Sequence, residues 1–369
     1  MRTHDDGRII PPCFPAGTTP AYWEARGRQT LLRLIGRTEY GFPPLGDFTV
    51  TSEETDAGPA CAGGRGTAVR LRLTCSAGRR IYRFPLSVFL PAGRENSPCV
   101  LFLNNRSPGF HDIHRLRYNP FFPVRELLRA GYAAAAFHVG DVQPDDPRQT
   151  GRGIMGAMAG MPFAEDAPWG ALCAWSAAAC LSRTVLARLP AVDPRRVYVA
   201  GHSRGGKAAL WAGALDTAFA GVFASCSGCG GAALHRGKEG ERVGDITRLF
   251  PHWFTPSFQD WAGLEDSLPF DQHHLLGLIA PRPLFITSAT EDSWADPLSE
   301  FLSLRAAAPF WALYGEQGLP PSPFPEPGRT VRSACCGYRL RRGVHDLTRQ
   351  DWLAALRFFT RRDEVSPCP

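Results

Sequence analysis

The sequence is almost without lysine: among 369 residues there are 41 basic side chains, and only Lys207 and Lys238 are not arginine. No Lys/Arg run exceeds two residues, and 35 acids are interspersed, so the net charge of +6 forms no basic tract of the kind that follows a nucleic-acid backbone. The charge is a solubility feature, and no nucleic-acid partner is expected. No apolar stretch approaches the ~18 residues needed to cross a bilayer, which excludes a membrane-spanning helix. The start, Met1-Arg2-Thr3-His4-Asp5-Asp6, lacks the apolar segment and small-residue cleavage site of an export signal. As written, the chain is expected in the cytoplasm, with secretion if the true start lies upstream. Eleven cysteines, an odd number spread from Cys13 to Cys368, exclude a complete disulfide framework and make reduced thiols the default. Cys226-Ser227-Gly228-Cys229 has C-x-x-C spacing but neither a second such pair nor a paired histidine, so it reads as small residues in a tight loop. Whether its two thiols are joined stays open; no metal and no cofactor is expected.

What is present is a core-forming composition, 44% hydrophobic and 21% charged, without an internal repeat. Residues 1–60 are rich in Pro, Gly and charge, with one helix-like piece at 22–34, and are expected to wrap a main domain at 61–369 as an extension. Segments 69–74 and 81–90 alternate about Ser76-Ala77-Gly78 as a hairpin. From residue 99 onward, apolar strands (99–104, 132–138, 196–200, 221–225, 283–288) alternate with helical stretches (169–189, 272–279, 297–306, 347–361), the pattern of a parallel sheet covered on both faces. Two insertions interrupt it. The one at 234–268 carries His252, Trp253 and Trp261 and should lie above the strand ends, where ligands bind; the one at 318–329 holds five prolines and reads as a semi-rigid loop.

The most telling stretch is Gly201-His202-Ser203-Arg204-Gly205, between the apolar run Val197-Tyr198-Val199-Ala200 and a helix-like segment from Ala208. Glycines two before and two after the serine leave room for the sharp strand-to-helix turn of a nucleophile elbow. The turn lifts the hydroxyl above the sheet, and the Arg204 N–H at the helix start can meet a developing oxyanion. This predicts an α/β-hydrolase fold, a three-layer sandwich with a mostly parallel central sheet. A serine hydroxyl needs a base and a carboxylate to orient it, and in this fold they follow in the order Ser, acid, His. His345 lies after the strand-like segment 338–341 and before the last helix, the address of the base; His273 and His274 sit in an apolar helical pattern and read as structural. Asp292, directly after the buried run Leu284-Phe285-Ile286-Thr287-Ser288, is the best-placed acid. Glu291 and Asp296 remain runners-up, and Asp296 is equally suited to capping the helix that opens at Pro297. A second oxyanion donor should come from the loop at Asn104-Asn105-Arg106, with Asn105 the candidate and Arg106 a candidate substrate contact. Lys207, one turn after Ser203, lies on the same helix face; either it holds a substrate group or it is an ordinary helix lysine. Trp253 and Trp294 are further candidates for substrate binding.

Ser203-Arg204-Gly205-Gly206-Lys207, Ser227-Gly228-Cys229-Gly230-Gly231, Asp271-Gln272-His273, Ala280-Pro281-Arg282-Pro283 and Asp292-Ser293-Trp294 together resemble the glucuronoyl esterases, carbohydrate esterase family 15, and their acetylxylan esterase-like bacterial relatives. The resemblance covers roughly residues 95–362, and S-R-x-G-K is far more specific than G-x-S-x-G. It implies hydrolysis of an ester of 4-O-methyl-glucuronic acid on xylan by a Ser203–His345–Asp292 acyl-enzyme mechanism, with Arg204 also at the oxyanion and Lys207 and Trp294 on the substrate. The expected partner is a small-molecule or oligosaccharide ester; the sequence does not fix the oligomeric state. There are departures. Members often have cysteine before the serine and a disulfide to the residue after the histidine, positions held here by His202 and Asp346. Many take their acid from a glutamate where this chain has Cys226, so the acid should come from the later loop. An acetylxylan or other small acyl esterase is the alternative within the class, and a non-catalytic hydrolase-fold protein that binds carbohydrate or a partner is the alternative outside it.

Overall fold

The computed structural model describes residues 2–3, 7–44, 48–115, 118–163 and 166–365; Cys368 lies outside them. Ten strands form one sheet: β1 (Thr49–Cys61), β2 (Gly66–Ala77), β3 (Arg80–Pro91), β4 (Ser97–Asn104), β5 (Ala133–His138), β6 (Val192–His202), β7 (Gly221–Ser225), β8 (Leu284–Ala289), β9 (Thr330–Arg332) and β10 (Cys336–Arg341). Their spatial order is β9-β10-β8-β7-β6-β4-β5-β3-β2-β1. The inner strands β4 to β8 and β10 run parallel, whereas β1, β2, β3 and β9 join antiparallel at the two sides. Helices α1 (Arg28–Ile35), α2 (Val124–Arg129), α3 (Ala171–Leu186), α4 (Arg204–Leu215), α5 (Val243–Leu249), α6 (Gln272–Gly277), α7 (Pro297–Ala306) and α8 (Arg349–Val365) complete the frame.

Both faces of the parallel strands are buried, which is why these strands read as continuous apolar runs. Successive side chains point to opposite faces. Leu101, Val199, Val222 and Ile286 belong to one core with α3 and α4, and Val100, Ala200, Phe223 and Phe285 to the other with α2 and α8. In the second core Phe102 stacks on Phe122 at 5.2 Å and meets the edge of Trp352 at 5.4 Å.

The sheet begins at Thr49, inside the stretch that the sequence assigns to the extension. Thr49–Cys61 is polar and mostly exposed, so apolar alternation could not reveal it. Its backbone ladder to β2, from Thr49↔Ser76 to Cys61↔Gly66 with shifts at Glu54/Asp56 and Gly58/Cys61, makes it a strand. Farther upstream, the helical stretch around α1 contributes Trp23, Leu31, Leu32, Ile35 and Tyr40 to the first core, and Tyr40 stacks on Trp211 of α4 at 4.7 Å. Among the described residues no helix is long and apolar enough to cross a membrane.

Candidate active site

β6 ends at His202 and α4 begins at Arg204, so Ser203 is the single residue of the turn. Its backbone has φ 54° and ψ −127°, a conformation that costs a non-glycine residue about 1–3 kcal/mol. The neighbouring glycines are obligatory: a Cβ on Gly201 would lie 2.0 Å from the Gly205 carbonyl oxygen, and one on Gly205 2.9 Å from that of Leu103. The turn is pinned by the Ser203 N–H, which donates to Ser225 O at 2.8 Å. The Arg204 N–H stands in the first turn of α4, where no intrahelical acceptor exists.

His345 and Asp292 meet. The His345 ring donates from Nδ1 to Asp292 Oδ2 at 2.6 Å, joining the loop after β10 to the loop after β8. Burial alone would raise the Asp292 carboxyl, but the His345 contact, the Ala295 N–H and the Cys226 thiol outweigh it and hold it below its usual value. His202, next to Ser203, packs its ring 4.6 Å from that of His345. The two runners-up are elsewhere: Asp296 caps α7, accepting from Ser299 N at 3.0 Å and Glu239 N at 2.9 Å, and Glu291 is exposed. His273 and His274 donate to the carbonyls of Pro11 and Pro12, fixing the N-terminal segment.

A cationic side lies beside this pair. Arg204 Nε is 2.6 Å from Asp145 Oδ2, an ion pair without an aligned N–H, and Nη2 donates to Asn105 O at 3.3 Å. Asp145 also accepts from His252 Nε2 at 2.9 Å and Trp253 Nε1 at 2.6 Å. Thus Trp253 is a buried wall of the site, 5.9 Å from the Arg204 guanidinium and 6.0 Å from the Lys207 ammonium. Lys207 is 4% exposed; it donates to Ser227 O at 2.5 Å and Cys229 O at 2.6 Å, with Glu241 Oε2 at 3.8 Å. Its receiving loop is built on the buried Glu300, which accepts from Ser227 Oγ, Gly228 N and Ser288 Oγ.

The other sequence candidates line the rim. Asn105 is buried, and its Oδ1 lacks a protein partner. Asn104 shapes that loop, accepting from Arg106 N at 3.0 Å and donating to Ser107 O at 3.0 Å. Arg106 lies over Phe121 at 4.2 Å and pairs with Asp346 Oδ1 at 2.8 Å, so an ion pair ties the oxyanion loop to the histidine loop. Trp294 is 50% exposed, and its carbonyl accepts from Lys238 Nζ at 3.2 Å and Glu241 N at 3.0 Å. All ten described cysteines are free, Cys226 and Cys229 included. Cys226 Sγ, an Asp292 oxygen and a His345 nitrogen lie within 4.8 Å of one another, close enough to hold an ion; here the imidazole donates to the carboxylate and the thiol faces Asp346 O at 3.8 Å. Nothing in the sequence singles out Asp145, Glu241 or Glu300, because each owes its place to a partner distant in the chain.

The sheet order and the elbow define an α/β hydrolase, and comparison with known proteins makes it a carboxylic-ester hydrolase. A family profile described as "Glucuronyl esterase, fungi" matches residues 74–315. A carbohydrate esterase from an unknown prokaryotic organism is 36% identical over 92% of this chain and 85% of its own. A 4-O-methyl-glucuronoyl methylesterase of Podospora anserina is 30% identical over 62% of this chain, which spans about half (49%) of that protein. The solved glucuronoyl esterase of Solibacter usitatus superimposes with a TM-score of 0.87 at 29% identity, covering 96% of this chain and 97% of its own. The chain belongs to the glucuronoyl esterase family.

Proposed function

We propose that this protein hydrolyses esters formed by the carboxyl group of a 4-O-methyl-glucuronoyl residue, with Ser203 as nucleophile, His345 as base and Asp292 as its orienting acid. The observation that carries the residue assignment is the 2.6 Å contact of His345 Nδ1 with Asp292, since it fixes the tautomer whose Nε2 is free to accept a proton. Ser203 Oγ attacks the ester carbon as His345 takes its proton. The tetrahedral oxyanion is met by the Arg204 N–H, the Arg204 guanidinium and the Asn105 segment; collapse expels the alcohol, which receives the proton from His345. Water, deprotonated by His345, then attacks the acyl-enzyme, releasing the uronic acid and restoring Ser203. Lys207 and Glu241 form a buried polar pair beside the elbow suited to sugar hydroxyls, and Trp294 and Arg106 supply the exposed rim.

Similarity to the glucuronoyl methylesterases supports the acyl half of the substrate. The test is a burst of nitrophenol from a nitrophenyl ester, present in the native enzyme and absent in Ser203→Ala; full activity in that variant would remove the assignment. A parallel comparison of benzyl glucuronate with an acetylated xylo-oligosaccharide separates the uronate reading from a small-acyl esterase. A higher kcat/KM on the acetyl substrate would favour the latter.

A further inference from the structure

We infer that Arg341 is the positioning residue of the histidine loop, its buried guanidinium serving as the template around which residues 342–346 fold and His345 is aimed. The inference rests on the reading of His345 as the base.

Packing does not hold this loop. Val344 is 60% exposed, and the His345 side chain is itself nearly half exposed. Arg341, the last residue of β10, is by contrast 5% exposed. Its guanidinium donates to Arg342 O at 3.2 Å, to Val344 O at 2.7 Å and to Asp346 O at 2.5 Å. The Val344 carbonyl belongs to the peptide unit that enters His345 and the Asp346 carbonyl to the unit that leaves the next residue, so the chain is tied to one cation both before and after the imidazole. Gly343, at φ 111°, makes the tight turn that brings the chain back over the guanidinium. The cation is fixed in turn by Asp351 of α8, fully buried, which accepts from Arg341 Nε at 2.9 Å and from Thr348 N and Oγ1 at 2.9 and 2.7 Å. From the other side the loop is met at its start, where Gly343 N donates to Thr290 Oγ1 at 3.2 Å and Gly343 O accepts from Glu291 N at 2.9 Å, and at its end, where the Cys226 thiol meets Asp346 O at 3.8 Å and Arg106 pairs with Asp346 Oδ1 at 2.8 Å; the Arg341 fork adds the hold on Val344 O, directly before His345. One planar fork thus spans a carboxylate on one edge and three carbonyls on the others, a geometry that an ammonium, with three donors on a single atom, cannot reproduce. Removing it would leave those carbonyls free to turn outward and carry His345 away from Asp292.

The experiment compares native enzyme, Arg341→Lys, Asp351→Asn and His345→Gln in kcat and KM on benzyl glucuronate, in circular dichroism, and in the low-field proton resonance of an imidazole N–H bonded to a carboxylate. The His345→Gln spectrum identifies that resonance by its loss. The expected result for Arg341→Lys is a native dichroism spectrum, a kcat lower by on the order of 100-fold, a nearly unchanged KM and loss of the resonance. Asp351→Asn, which keeps the guanidinium but frees its orientation, should shift both readouts in the same direction by less. A folded Arg341→Lys that retains the resonance and a kcat within about twofold of native overturns the inference. If Arg341→Lys does not fold, the same retention in Asp351→Asn overturns it. Undiminished activity of His345→Gln would instead sink the catalytic reading itself.

Discussion

Asp292→Asn is the sharpest perturbation of the site. The native carboxylate accepts from His345 Nδ1 at 2.6 Å and from Ala295 N at 3.3 Å, and it is 4% exposed. Asparagine keeps its size and can keep the Ala295 bond, so the backbone loop should stand. What changes is the group opposite His345. If the amide nitrogen faces Nδ1, the ring must put its proton on Nε2, the atom that should accept from Ser203; if the amide oxygen faces it, the tautomer survives but the imidazolium loses its anion. In a serine protease the corresponding change lowers kcat by about 10⁴, or about 5.5 kcal/mol of barrier, and the short contact to a buried carboxylate here calls for a loss of the same order. The assay is the nitrophenol burst followed by steady-state turnover at neutral pH, with KM expected nearly constant because the side chain touches no substrate. A loss smaller than about tenfold would refute the reasoning, for neither Glu291, which is exposed, nor Asp296, which caps α7, is placed to take over. The linkage has a definite sign. The folded carboxyl lies below its usual 3.8, so its contribution to stability is present above that pH and is lost as the pH falls through the folded value. The asparagine variant should lack this acid-limb component.

Three other outcomes follow from the geometry. Lys207→Met should lower Tm as well as activity, because Ser227 O and Cys229 O lose their donor inside the protein at about 1–3 kcal/mol each; an unchanged melt would contradict the contacts described. Gly240→Ala places a Cβ 2.4 Å from Ser293 O and 2.7 Å from Trp294 Cα at φ 66°, so it should both destabilise the chain and depress kcat through the neighbouring Asp292 loop, checked by calorimetry and turnover. Burial holds His111 and His274 at about 4, whereas the unfolded chain protonates them near 6.5, so stability should fall on acidification from about pH 6.5 to 4, by up to about 3 kcal/mol per residue. Denaturant melts across that window should show a shallower slope for His111→Gln. His235 acts oppositely: its contacts with Cys229 and Glu39 outweigh burial and raise it, so its contribution is lost only on the alkaline side.

The parts of the site legible in the sequence are those fixed by local stereochemistry or by the order of strands. Gly201 and Gly205 announce the elbow because only glycine fits there; Asp292 follows because it stands in the loop after a buried apolar run, and His345 because it stands between the last strand-like segment and the last helix. Contacts set by distant loops left no such mark. Lys207 reads equally as a pocket cation or a helix lysine, and its Nζ is placed by carbonyls 20 and 22 residues downstream. Asp145 precedes Arg204 by a whole βα unit, with nothing in its neighbourhood to single it out. β1 escaped because an edge strand that is polar on both faces is defined by hydrogen bonds rather than by side-chain period.

The burial of both lysines has a chemical corollary. Lys207 is 4% exposed and Lys238 1%, each with its ammonium folded into loop carbonyls. An acylating reagent such as a succinimidyl ester therefore meets no lysine amine on the native surface, however basic that surface is. The two amines become slow reporters instead. Acylation of Lys238 can proceed only as fast as the segment beneath Trp294 opens, and acylation of Lys207 only as the loop at 227–229 lets go, so a time course resolved by peptide would clock the opening of each wall of the pocket separately.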